Sequence, residues 1–226
     1  MDIFFILVEP AVPENIGASA RAINTMGFHN LRLVNPKHFP HEKATWLAHG
    51  STDILEHAAL YDHFDEAIAD LDFVIATTAK KRGVKHDFYP LDAIQELISN
   101  KGSYVKRLGV VFGREESGLK NKEIRACHLV SYIPMQSSYP SLNLAQAVML
   151  YAHHLSRPQR HQTSVASLPQ SHRFKTVHEH TKKLLDRIGI PPEDAKHGRI
   201  LERISLLSEP DLHLLLSVTH AIESRL

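Results

Sequence analysis

The sequence predicts an α/β fold, a mostly parallel sheet with helices on both faces, followed by a small helical C-terminal extension. Three observations carry this. Short apolar runs of strand length alternate with stretches whose apolar residues recur every three or four positions. Two of those runs, "VIATT" and "GVVFG", lack the polar alternation of a half-exposed strand, as central strands buried on both faces should. Beyond residue 171 the strand-like runs stop and only helical periodicity remains.

In order, strands are expected at "IFFILV" (3–8), "LRLVN" (31–35), "DFVIATT" (72–78), "LGVVFG" (108–113) and "HLVSYI" (128–133). The first run is short, follows no basic region and ends in Glu9, so it reads as a strand and not as a secretion signal. Helices are expected near 14–26, 64–70, 91–99 and 119–126, with Gly27 placed as a C-terminal cap of the first. Such alternation favours parallel pairing with helical crossovers. From Ser141, "SLNLAQAVMLYAHHLS" is helical and apolar on most of its circumference, which suits either the centre of a core or packing on another subunit. The organisation is thus a domain at 1–156, a basic linker at 157–171 and a helical extension at 172–226, in which Pro191, Pro192 and Pro210 punctuate the helices.

Composition narrows the setting. The 226 residues are 43% hydrophobic and 23% charged, as in soluble globular proteins. No apolar run approaches the ~18 residues of a membrane span, so no membrane partner is expected. The single cysteine, Cys127, excludes an intramolecular disulfide and suits a reducing cytoplasm. The net charge of +1 is unevenly spread: residues 157–226 carry +3 and residues 1–156 carry −2. Basic runs at 157–175 and at "AKKRGVKH" (79–86) read as solvated loops or as contacts for a polyanion. The 17 histidines include no H-E-x-x-H and no Cys/His cluster, so they read as solvent-facing or capping, and no metal site is expected.

In an open parallel sheet, ligands bind at the carboxyl ends of the strands. There the chain places Asn15-Ile-Gly17, Thr77-Thr78-Ala79, Gly113 to Gly118, and the segment from Ile133, Pro134 and Met135 to Pro140, Ser141, Leu142 and Asn143. No G-x-G-x-x-G and no G-x-x-x-x-G-K-[ST] is present to cradle phosphates. Small residues with apolar neighbours suit a flat ring held largely by backbone groups, as adenine would be.

Three of these segments, "NIGASAR" (15–21), "VFGREESGL" (111–119) and "YPSLNLAQAV" (139–148), resemble the three motifs of the SpoU–TrmH branch of the SPOUT methyltransferases, in the right order across about the first 156 residues. Within that branch the chain is similar to the TrmJ-like tRNA/rRNA 2′-O-ribose methyltransferases, whose helical tail the extension resembles more loosely. The resemblance implies a trefoil knot in the C-terminal half of the domain and S-adenosylmethionine bound in its loops, through Thr77, Thr78, Ala79, Gly113, Ile133, Met135, Pro140, Ser141 and Leu142. It implies a homodimer with shared active sites and an RNA substrate, tRNA before rRNA, with no DNA partner. The catalytic residues it implies are Asn15, Arg21, Glu115, Ser141 and Asn143.

Physical reasoning assigns those residues partly. If Asn15 caps the first helix, Arg21 six residues later reaches the same mouth. Gly17 would allow close approach of a nucleic-acid backbone or a partner chain. An arginine stays protonated in nearly all settings, so Arg21 suits phosphate docking and alkoxide stabilisation; the family proposal, in which a substrate phosphate helps it act as base, stands beside that. Glu115 would organise the knot loop by accepting backbone N–H bonds. Arg114 meets RNA phosphate or balances Glu115 and Glu116. Two other classes compete: a catalytically silent RNA-binding protein that keeps the knot, and a flavodoxin-like enzyme using another nucleotide.

Overall fold

The apolar run at the start of the chain forms β1 (Asp2–Val8), whose last six residues are all buried. In this computed structural model, which describes residues 1–80, 87–136, 142–156 and 173–224, β1 pairs in parallel on both sides. Its partners are β2 (Asn30–Val34) and β6 (Arg107–Phe112). Beyond them lie β3 (Ala59–Tyr61) at one edge, and β4 (Phe73–Thr78), β7 (Leu129–Tyr132) and β5 (Tyr89–Pro90) toward the other. All six pairings are parallel and the order is β3-β2-β1-β6-β4-β7-β5. The five strands expected from sequence are the five longest; the two- and three-residue edge strands carry too few residues for a period to show.

Helices α1 (Pro13–Thr25), α2 (Glu42–Ala48), α3 (Thr52–Glu56), α4 (Phe64–Ile68), α5 (Leu91–Ser99), α6 (Asn121–Ala126) and α7 (Leu144–Ser156) connect or cover the strands. α1 packs on both α2 and α7. Phe4, Ile6, Val8, Val74, Ala76, Val111 and Val130 pack with residues of α4 and α6 into one core cluster. Arg32 is buried in this unit by pairing with Asp70 at 2.6 Å and donating to the Ala67 carbonyl.

Two compact units are distinguished: residues 1–95 with 107–158, and residues 96–106 with 159–226. The second contains α8 (Arg173–Arg187), α9 (Ala195–Ile204) and α10 (Glu209–Glu223). Division by packing thus differs from division by composition at 96–106, which joins the helical unit. The reason is a set of polar contacts around Lys101, which is only 1% exposed. Its ammonium donates to the Leu207 carbonyl at 2.7 Å, Ser103 donates to Glu209, and the Glu209 N–H donates to the Asn100 carbonyl. Burial lowers the Lys101 pKa to about 8. The expected linker at 157–171 lies outside the described residues. No helix among the described residues is long and apolar enough to cross a membrane.

Candidate active site

β1, β6, β4 and β7 are adjacent in the sheet, and because every strand is parallel their carboxyl ends share one edge. The four segments singled out in the sequence follow these four strands, so the topology itself gathers them.

The strongest link among them is a carboxamide between two other side chains. Asn15 Nδ2 donates to Glu115 Oε1 at 3.0 Å, and Asn15 Oδ1 accepts from Asn143 Nδ2 at 2.7 Å. Glu115 also accepts from the backbone N–H groups of Ala11 and Val12 at 3.1 and 3.3 Å. Burial opposes its ionisation, but the bonds from Asn15 and from these N–H groups outweigh that and hold its pKa below the usual carboxylate value. Glu115 therefore fixes the turn between β1 and α1. The two N–H donors belong to this turn and not to the expected knot loop.

Asn15 is not the helix cap. α1 opens with Val12 as cap and Pro13 in its first position, where a missing N–H costs nothing. Asn15 is third in the helix, so Arg21 lies about 120° round the axis and about 9 Å further along. The Arg21 side chain is exposed and makes no hydrogen bond or ion pair among the described residues. Gly17 also differs from expectation. A Cβ there would stand 2.0 Å from the Ala44 carbonyl oxygen, so the glycine admits the backbone of α2 of the same chain. Asn143 does cap its helix: its Oδ1 accepts from the Ala145 N–H at 2.8 Å, and Gln146 accepts from the Asn143 N–H at 3.1 Å.

The turn after β6 is closed by paired backbone bonds between Arg114 and Gly118, and Gly118 adopts a φ of 67°. Gly113 is obligatory, because a Cβ there would lie 2.2 Å from the Gly118 carbonyl carbon. Arg114 is clamped. Its guanidinium binds both carboxylate oxygens of Glu9 and both of Glu123, with Nη1 also donating to the Gly118 carbonyl. Bonds from Arg114 lower the Glu9 pKa to about 2. Arg114 thus neither balances Glu115 and Glu116 nor stands free for phosphate.

At the β4 end, Thr77 Oγ1 donates to the Val111 carbonyl and Thr78 Oγ1 to the Lys80 carbonyl. With these hydroxyls engaged, the edge offers a ligand chiefly backbone groups, the exposed Ala79 and the half-buried Ile133, Met135 and Leu142. That surface suits an uncharged ring better than a phosphate chain. Pro140 and Ser141 lie outside the described residues.

The model of the SpoU rRNA Methylase family matches residues 2–153. The chain belongs to this family. It is 34% identical over 226 residues to the uncharacterised tRNA/rRNA methyltransferase LasT of Escherichia coli K12, covering 100% of this chain and 99% of LasT. It is 33% identical to the tRNA (cytidine/uridine-2′-O-)-methyltransferase TrmJ of Photorhabdus laumondii, covering 91% and 88% of the two chains. Among solved structures, TrmJ of Z. mobilis ZM4 aligns with a TM-score of 0.69 at 28% identity, over 99% of this chain and 100% of that one.

For this SpoU chain, Glu9 and Glu123 are the residues that sequence reasoning missed. Glu9 adopts a positive φ of 46° immediately after β1 and reaches across to the β6 turn. The only signal for it was a lone acid at the end of an apolar strand. Glu123 is 3% exposed and accepts from the Lys120 N–H at 2.6 Å, and no sequence signal separates it from any acid near the start of a helix.

Proposed function

We propose that the protein transfers a methyl group from S-adenosylmethionine to a ribose 2′-hydroxyl of RNA, most directly tRNA. The observation that carries the proposal is the hydrogen-bonded Glu115–Asn15–Asn143 cluster, which ties three motif segments together at the carboxyl edge of a SpoU-family sheet. The cofactor supplies an already activated sulfonium methyl, so the protein must position the acceptor and manage one proton.

Thr77, Thr78, Ala79, Gly113, Ile133, Met135 and Leu142 would hold the cofactor, with Pro140 and Ser141 completing the set. Glu115 is not free to act as base, because its two oxygens accept bonds from Ala11, Val12 and Asn15. Its role is to position the β1–α1 turn. Arg21, exposed to solvent, docks the substrate phosphate and stabilises the developing 2′-oxyanion, while the hydroxyl proton passes to solvent water and the cofactor leaves as S-adenosylhomocysteine.

The homodimer belongs to the same reading. Val12, Trp46, Leu47 and Leu150 are exposed apolar side chains at the start of α1 and on α2 and α7, the two helices that pack on α1, and Trp46 is 66% exposed. A second copy covering them would bury this apolar surface. A trefoil knot fits the path as well: β7 lies outside β4, yet α7 returns to α1. A cytoplasmic location suits both the substrate and the buried thiol of Cys127, the single cysteine of the chain.

Methyl incorporation into bulk tRNA from labelled cofactor, followed by nuclease mapping of 2′-O-methylated positions, tests the proposal. Ribose methylation is the expected result. Cofactor binding with no transfer to any RNA would instead support a silent RNA-binding protein.

A further inference from the structure

The helical unit carries a cluster that methyl transfer does not use. His180 on α8 and His220 and Glu223 on α10 each offer one ligand atom, and the three atoms lie within 4.8 Å of one another. His220 and Glu223 are three residues apart on one helix, so their side chains leave the same face. His180 reaches them from the neighbouring helix. Its Nδ1 is 3.1 Å from Glu223 Oε2, and its ring meets that of His220 edge-on with centroids 5.0 Å apart. His180 and Glu223 are partly buried and His220 is exposed, so an ion could enter from solvent and be gripped by both helices.

We propose that His180, His220 and Glu223 form a binding site for a divalent transition metal, with zinc the best match. Two imidazoles and a carboxylate are a borderline donor set, which favours zinc and its neighbours over magnesium or calcium, ions that take oxygen ligands. Zinc bonds of about 2.0–2.2 Å in tetrahedral geometry set donor atoms roughly 3.4 Å apart. The His180–Glu223 pair, at 3.1 Å, is near that spacing, and with all three donors within 4.8 Å of one another side-chain rotation can close the set on an ion. Three protein ligands leave a fourth position for water. The ion would cross-link α8 to α10 in a unit with few residues to build a core, where a metal staple stabilises most effectively. Sequence spacing gave no hint, because the ligands come from two helices separated by a third.

The test is a titration of the full-length protein with cobalt(II), then zinc. One cobalt per chain with the strong visible absorption of a four-coordinate site is expected, displaced by zinc. Zinc alone should raise the melting temperature of the helical unit. His220→Ala removes an exposed ligand and should weaken binding at least about tenfold. His153→Ala, on α7 of the other unit, should leave binding unchanged. Circular dichroism checks the fold, and His220→Gln serves if the alanine variant is disturbed. Cobalt binding that His220→Ala and His220→Gln both leave unchanged, or the faint spectrum of a six-coordinate aqua ion, would overturn the proposal.

Discussion

Asn15 and Glu115, separated by 100 positions, share a 3.0 Å hydrogen bond that ties the turn after β1 to the turn after β6. With Asn143 on the far side of Asn15, the bond fixes how three loops meet. Asn15→Asp would keep the shape but set one carboxylate against another. We expect a loss of about 2–3 kcal/mol in urea unfolding and a fall in methyl transfer of at least about tenfold. Asn15→Asp with unchanged stability and activity would show that the bond is incidental.

Arg114 predicts a different failure. It is 12% exposed at the side chain and paired with Glu9 and with Glu123, which is 3% exposed. Arg114→Met would leave buried negative charge unpaired and should cost about 3–5 kcal/mol. Arg114→Lys should rescue little of it, since a lysine cannot serve two carboxylates in a forked geometry.

The same clamp sets an acid limit. The folded-state pKa of Glu9 lies near 2, below its ordinary value of 4.5. The associated stabilisation, roughly 2–3 kcal/mol, is therefore complete at neutral pH and is lost as pH falls from about 4.5 toward 2. Glu115 adds a loss of the same sign as pH drops below the usual carboxylate range. Urea midpoints across that window should fall steeply for the native chain. For Glu9→Gln they should start lower and fall less.

Much of this was legible in the sequence. The five main strands show as apolar runs, and the carboxyl ends of four of them hold the site segments. Asn143 behaves as the helix cap that its residue type suggests. The rest depends on contacts between segments far apart in the chain. Nothing near Gly17 reveals that α2 presses on it, because Ala44 belongs to a helix too short to show a period. Pro13 moved the start of α1 ahead of Asn15 and so turned an expected cap into a bridging side chain. Residues 96–106 gave no sign of joining the tail, since their partners Leu207 and Glu209 lie more than a hundred residues away.

That last point shapes the test of the basic segments. Deleting 157–226 would uncover Lys101, so loss of RNA binding in such a variant would mix unfolding with lost charge. Arg157→Gln combined with Arg160→Gln, in the full chain, removes charge alone. We expect weaker tRNA binding with a shallower salt dependence and unchanged affinity for S-adenosylhomocysteine. Equal salt slopes in the two proteins would assign the polyanion contact elsewhere.

The central claim is that the β1–α1 turn serves the RNA, with Arg21 as the group that meets it. The direct measurement is single-turnover methyl transfer to tRNA by the native chain and by Arg21→Ala, with calorimetric S-adenosylhomocysteine binding and sedimentation run on both. We predict a rate loss of at least about a hundredfold, with cofactor affinity and oligomeric state unchanged. A folded Arg21→Ala protein that methylates tRNA at the native rate would contradict the account and leave Arg21 a surface residue.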